Sequence, residues 1–186
     1  MMKRVFLGAS LLFVSTALLA QQPMDEHHQA ASPAETASAT IGGKTLTISY
    51  SSPRVRGRQG HIFSKDGLIS HDQDYPYWRG GANAATTFKT SGNISIGDLN
   101  VPAGAYTLFV DISNPGQWTL VVSKETGQWG LNYSQGKDLG RVKMTMAKPP
   151  AMVEALKYTI RDDGGSKGTI TLAWENESAS VPVHVH

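Results

Sequence analysis

The sequence predicts an all-β fold: an antiparallel β-sandwich of about nine strands with two long irregular loops. Three observations carry this. After residue 43, apolar residues recur with a period of two along most of the chain. Turn residues separate those runs at short intervals. No long stretch shows a helical period. Alternation of this kind marks strands with one face buried. A jelly-roll order is compatible with the pattern, but periodicity does not specify strand order.

The runs follow one another as expected of such a fold. Lys44 to Tyr50 places Leu46, Ile48 and Tyr50 on one face. Ala105 to Ile112 places Tyr106, Leu108, Val110 and Ile112 together, with Phe109 opposite. Gln117 to Ser123 repeats the pattern with Trp118, Leu120 and Val122. Val142, Met144 and Met146 follow, then Leu156, Tyr158 and Ile160, then Ile170, Leu172 and Trp174, then Val181, Val183 and Val185. Pro102 with Gly104, Asn114-Pro115-Gly116, Pro149-Pro150 and Asp162-Asp163-Gly164-Gly165 punctuate the series. The last of these reads as a hairpin turn.

Composition agrees with a folded domain. Charged residues make up 17% of the chain, below the usual share of about 25%, and there are 4 Trp, 6 Tyr and 5 Phe. A disordered chain has the opposite profile. The absence of Cys excludes a disulfide scaffold, a thiolate nucleophile and a cysteine metal site.

Three domain segments are expected. Residues 1–20 read as a cleavable signal peptide: Lys3 and Arg4, an uncharged run from Val5 to Ala20, and small residues at Ala17 and Ala20. At 16 residues the run is short of the roughly 20 needed to span a bilayer. No Cys follows it to accept a lipid anchor. Residues 21–42 are polar and small and read as a flexible linker. Residues 43–186 form the sandwich. Export to the periplasm or beyond follows. Without Lys3 and Arg4, fifteen basic residues face fifteen acidic ones. The basic character of the whole chain is thus a property of the leader, and no general attraction to nucleic acid is expected. After cleavage no membrane span is expected either.

Two stretches break the alternation, residues 53–84 and 125–140. Long irregular loops often carry function. The first holds Arg54, Arg56, Arg58 and Arg79, four of the six Arg residues beyond the leader. Arg54, Arg58, Trp78, Arg79, Asn83, Thr86 and Thr87 combine guanidinium forks, neutral hydrogen-bonding groups and a flat apolar face. That mixture suits a small polar or anionic ligand. The same residues can also pin a loop, an Arg bonding carbonyls and a carboxylate such as Asp138. Trp129, Tyr133 and Asp138 in the second loop either line the same end of the sandwich or pack against the sheet.

These loops carry a family resemblance. S-P-R at 52–54, G-R at 57–58, I-F at 62–63, W-R-G-G-A-N-A-A-T-T-F at 78–88, P-A-G-A-Y-T-L-F at 102–109, W-T-L-V-V-S-K-E-T-G-Q-W-G at 118–130, T-L-A-W-E at 171–175 and V-P-V at 181–183 occur in order. Together they resemble the bacterial family called domain of unknown function 2911, over roughly residues 45 to 184. The resemblance implies a signal-bearing, β-rich envelope protein and brings no activity. Ser64 stands where the family usually has Gly, and the path from there to Trp78-Arg79 is extended.

No catalytic residue and no cofactor is assigned. His184 and His186 share a strand face and are weak metal candidates. They would need a third ligand, for which His61, His71, Asp72 and Asp74 are on offer. There is no G-x-S-x-G elbow and no glycine-rich phosphate loop. The expected function is a non-enzymatic binding module for a small polar or anionic ligand, a glycan or an envelope component. The alternatives are a hydrolase acting on carbohydrate or envelope polymer, and a structural protein-interaction module. The ligand and the oligomeric state are not legible.

Overall fold

The computed structural model describes residues 31–186. The expected leader and the first part of the expected linker lie outside the described residues. Thirteen strands form two antiparallel sheets. The first sheet runs β1 (Ala34–Ile41), β2 (Lys44–Ser51), β4 (Thr86–Thr90), β7 (Gly104–Asp111), β8 (Thr119–Ser123) and β9 (Asp138–Lys143). In that sheet β3 (Tyr77–Trp78) also pairs with β7, beyond the end of β4. The second sheet runs β11 (Val153–Gly164), β12 (Lys167–Glu175), β13 (Glu177–Val185), β5 (Ile94–Ile96) and β6 (Leu99–Val101), and β10 (Thr145–Ala147) pairs with β13. The two layers make the predicted sandwich, open at its edges. No helix among the described residues is long and apolar enough to cross a membrane.

Most residues that the alternation marked lie in the core, joined there by others such as Phe88, Ile94 and Ile96, while Val142 and Met146 are only partly buried. Leu46, Ile48, Phe88, Leu108, Val110, Leu120 and Val122 of the first sheet meet Leu156, Tyr158, Ile170, Leu172, Val181 and Val183 of the second, all buried. A fully buried Leu, Ile, Val or Phe stabilises by about 1.5–3 kcal/mol relative to exposure. This layer therefore dominates the folding free energy. The Asp162–Gly165 turn joins β11 to β12, with Gly164 and Gly165 at positive φ.

Two expectations need correction. Thirteen strands among the described residues replace the expected count of about nine: the series of alternating runs omits β3, β5 and β6, whose two or three residues are too short to show a period, and β4, whose inward residues include Thr86 and Thr90, and it merges β10 with β9. It also omits β1, which lies in the stretch read as linker. In A-E-T-A-S-A-T-I the inward positions are mostly Ala, so the apolar signal is weak. The strand forms because all eight of its residues pair with β2 and because it contacts β11 of the other layer.

Phe109 and Val121 lie outside the main core cluster, yet both are fully buried. They point to the outer face of the first sheet. The second irregular stretch folds over that face: Tyr133 meets the Phe109 ring at 5.1 Å. That loop is thus a cover for the sheet rather than a free appendage.

Candidate functional site

The first irregular stretch begins with a self-contained knot. Arg58 donates from Nε to the Val55 carbonyl at 3.0 Å and from Nη2 to the Arg54 carbonyl at 2.6 Å. Arg54 contributes its backbone, in a bridge with Ala155 of β11. The Arg58 guanidinium thus holds the loop through local carbonyls rather than through Asp138, and Arg54 takes part by its backbone alone. Ile62 and Ile69 then anchor the stretch in the core.

Trp78 is buried and does not offer a ligand face. Its indole N–H donates to the Gly81 carbonyl at 3.2 Å. Its ring stacks on Trp174 at 5.9 Å and meets Phe63 and Trp118 edge-on. These four rings close one end of the sandwich. Gly80 must be glycine here: φ is +59°, and a Cβ would collide with the Tyr158 hydroxyl. Thr86 is fully buried and donates to the Gly80 carbonyl at 3.3 Å, so it supports the W-R-G-G turn from below. Thr87 alternates to the other face of β4.

Arg79 and Asn83 behave differently. Arg79 Nη2 pairs with Asp72 Oδ2 at 2.9 Å, and Nη1 donates to the Asn83 carbonyl at 3.2 Å. A cleft of about 230 Å3 opens here, bordered by Leu68, Asp72, Trp78, Arg79, Asn83 and Trp174. Two of its bordering side chains carry buried N–H donors without an acceptor among the described residues: Arg79 Nε and Trp174 Nε1. A buried donor left unpaired costs about 1–3 kcal/mol.

The second loop is tied to the first at this point. Trp129 forms a backbone bridge with Ala84, the residue after Asn83. Gly130 packs so tightly on the Arg79 side chain and the Asn83 carbonyl that a Cβ would not fit. Trp129 itself is 53% exposed, the most exposed large apolar side chain among the described residues. Leu68 and Tyr75 are exposed nearby in sequence to the cleft residues.

Tyr133 and Asp138 serve the tie rather than the cleft. Tyr133 N–H donates to Asp74 Oδ2 at 2.7 Å, and its ring stacks on Tyr77 at 4.2 Å. Its hydroxyl donates to Asp138 Oδ2 at 2.9 Å. Arg141 joins the same carboxylate at 3.0 Å and lies over the Tyr77 ring. Burial, and then the bond to Asp138, holds the Tyr133 phenol well above its usual pKa. So of the nine candidate ligand residues, Trp78, Arg79 and Asn83 border one cleft, and Trp129 is joined to its rim through the backbone bridge to Ala84. Arg54, Arg58, Thr86, Tyr133 and Asp138 build its supports.

The histidine pair is exposed on β13 and at the residue after it, with ring centroids 5.2 Å apart. His186 Nε2 meets Ser95 Oγ at 2.6 Å. Of the proposed third ligands, Asp72 is taken by Arg79 and Asp74 by the Tyr133 N–H. No group of three His, Cys, Asp or Glu among the described residues is placed to hold a metal ion. The sequence reading missed Asp72 as the partner of Arg79 and Trp174 as a wall. Only Trp174 left a trace, as the last inward residue of its strand.

Fold and site together define a class: a β-sandwich whose two irregular loops are tied to each other at an aromatic-walled end. The family model described as Protein of unknown function (DUF2911) matches residues 32–183, and the chain belongs to that family. Its match begins just before β1, so the family domain includes the strand that the linker reading missed. Comparison with curated proteins and with solved structures gives no match.

Proposed function

We propose that the protein is a non-enzymatic binding module of the bacterial envelope, taking a small polar ligand of the saccharide class in the Asp72–Arg79–Asn83 cleft. One observation carries this: the Arg79–Asp72 ion pair and the Asn83 carbonyl border one cleft, so that hydrogen-bond donors and acceptors meet there. Asp72 already balances the charge of Arg79, which favours a neutral ligand over a free anion. Sugar hydroxyls both accept and donate, and so match N–H groups and a carboxylate at once. Trp129, joined to the rim of the cleft through Ala84, offers a flat face for a sugar ring. The uncharged run before residue 21 supports export as the setting.

A hydrolase would need an acid and a base across one bond. Among the described residues, Asp72 is the one carboxylate at this cleft, and it is held by Arg79. That supports binding over hydrolysis at this cleft.

The test is a thermal-shift screen of the leaderless protein against mono- and oligosaccharides, with sulfate and phosphate as anion controls. At a concentration a hundred times Kd, the folded state gains about 2.7 kcal/mol. For a domain of this size that is a rise of roughly 5–10 °C. Trp129→Ala, at an exposed position, should remove the shift while leaving the fold intact. Shifts with anions alone, or with sugars in the Trp129→Ala protein as in the parent, overturn the reading.

A further inference from the structure

A second cleft, of about 290 Å3, adjoins the other members of the aromatic group and is bordered by Gly60, Phe63, Trp118, Lys148, Glu175 and Glu177. Glu175 is unusual in three respects. It is only 4% exposed, whereas a Glu is almost never buried unless paired. Its φ is +56°, in the two-residue turn between β12 and β13. Hairpin turns place Gly at such a position, and any L-residue is strained there by about 1–2 kcal/mol. Finally, the carboxylate is half used. Oε1 accepts from the Gly60 N–H, while Oε2 has neither a hydrogen bond nor an ion pair with a described residue, nor is it sealed from solvent. The nearest cationic candidate, Lys148, is bonded to Glu177 instead.

Pinning Gly60 requires only a neutral acceptor and does not require a charge. A strained, buried anion that pins one amide and keeps its other oxygen open points to a ligand, since strain of this kind persists at functional sites. We propose that this cleft binds a small organic cation, an alkylammonium group, through Glu175. The lining carries two carboxylates and one ammonium, so it is one cation short of balance. Its walls include Phe63 and Trp118, and aromatic faces attract organic ammonium ions. A bare metal ion is disfavoured, because no group of three His, Cys, Asp or Glu among the described residues is placed to hold one. The site is separate from the saccharide cleft and does not depend on that reading.

Isothermal titration with ethylammonium chloride and with 1,4-diaminobutane tests this, with sodium acetate as the opposite-charge control at constant ionic strength. Saturable amine binding, no acetate binding, and a loss of about tenfold or more in Glu175→Gln are expected. That variant keeps an acceptor for Gly60. Thr159→Ala, at an exposed position on β11, should leave amine binding unchanged. If Glu175→Gln does not fold, amide and indole shifts of the parent protein decide: changes centred on Gly60 and Trp118 support the site. The proposal is overturned by absence of saturable amine binding, by equal affinity in Glu175→Gln, or by shifts centred elsewhere.

Discussion

Arg58 and Arg79 stand near the two ends of one irregular segment, and the fold uses them in opposite ways. Arg58 sits in a turn of its own loop, where the carbonyls of Arg54 and Val55 take its donors. Arg79 pairs with a carboxylate, Asp72, as well as with the Asn83 carbonyl of the same segment, and its Nε–H has no acceptor among the described residues. The same side chain is a clamp in one place and part of a receptor surface in the other. Residue type specifies what an arginine can bond. The number of carbonyls within reach specifies whether anything is left for a ligand.

This comparison can be broken in several ways. The largest effect should come from Trp78→Ala, since Trp78 backs the cleft and packs on the rings beyond it. A loss of about 3–5 kcal/mol is expected in urea unfolding, with both regions failing together. If only one region loosens, they are independent units.

Arg58→Met should cost about 1–3 kcal/mol, because the Arg54 carbonyl loses its donor and the Val55 carbonyl keeps only the backbone N–H of residue 58. It should leave saccharide affinity unchanged. Arg79→Met should do the reverse, weakening affinity about tenfold or more with a smaller loss of stability. Titration and denaturation of the two variants side by side check this. Equal effects on both readouts would erase the distinction.

Asp138→Asn should cost about 1 kcal/mol, by weakening the bonds from Tyr133 and Arg141. Amide exchange should rise through residues 125–137 and stay unchanged around Arg58.

A last effect is in pH. Burial raises the pKa of Tyr50, Tyr106, Tyr133 and Tyr158 above the ordinary phenol value of about 10. Above that value the unfolded chain loses phenolic protons that the folded state retains. Stability is therefore full below about pH 10 and declines as pH rises through the folded-state values. Tyr158→Phe should flatten this alkaline limb. It should do so at little other cost, since the Tyr158 hydroxyl is buried without a partner. Denaturant midpoints at pH 8 and pH 11 measure it.

Much of the fold is legible because a sandwich buries one face of each strand, and a period of two survives in a single sequence. Leu46 and Ile48, Leu108 and Val110, Leu172 and Trp174 declare their strands without any neighbour. Strand β1 is silent because its buried positions are mostly small and its order comes from pairing with β2. The site is legible only in part. Arg79 and Asn83 stand out by type within a loop, but Asp72 looks like any loop aspartate until it meets Arg79. Glu175 leaves one faint signal, a charged residue closing an apolar alternation.

By itself, then, the sequence determined the all-β sandwich, most of its core residues and the two loops in which to seek a site. Each follows from local pattern, and local pattern needs no knowledge of what lies across the fold. The tertiary structure alone decided which arginine is satisfied, which donors are left over, and that Gly60 and Glu175 meet 115 positions apart. Hydrogen-bond satisfaction and burial are properties of neighbours in space, and the chain order does not contain them.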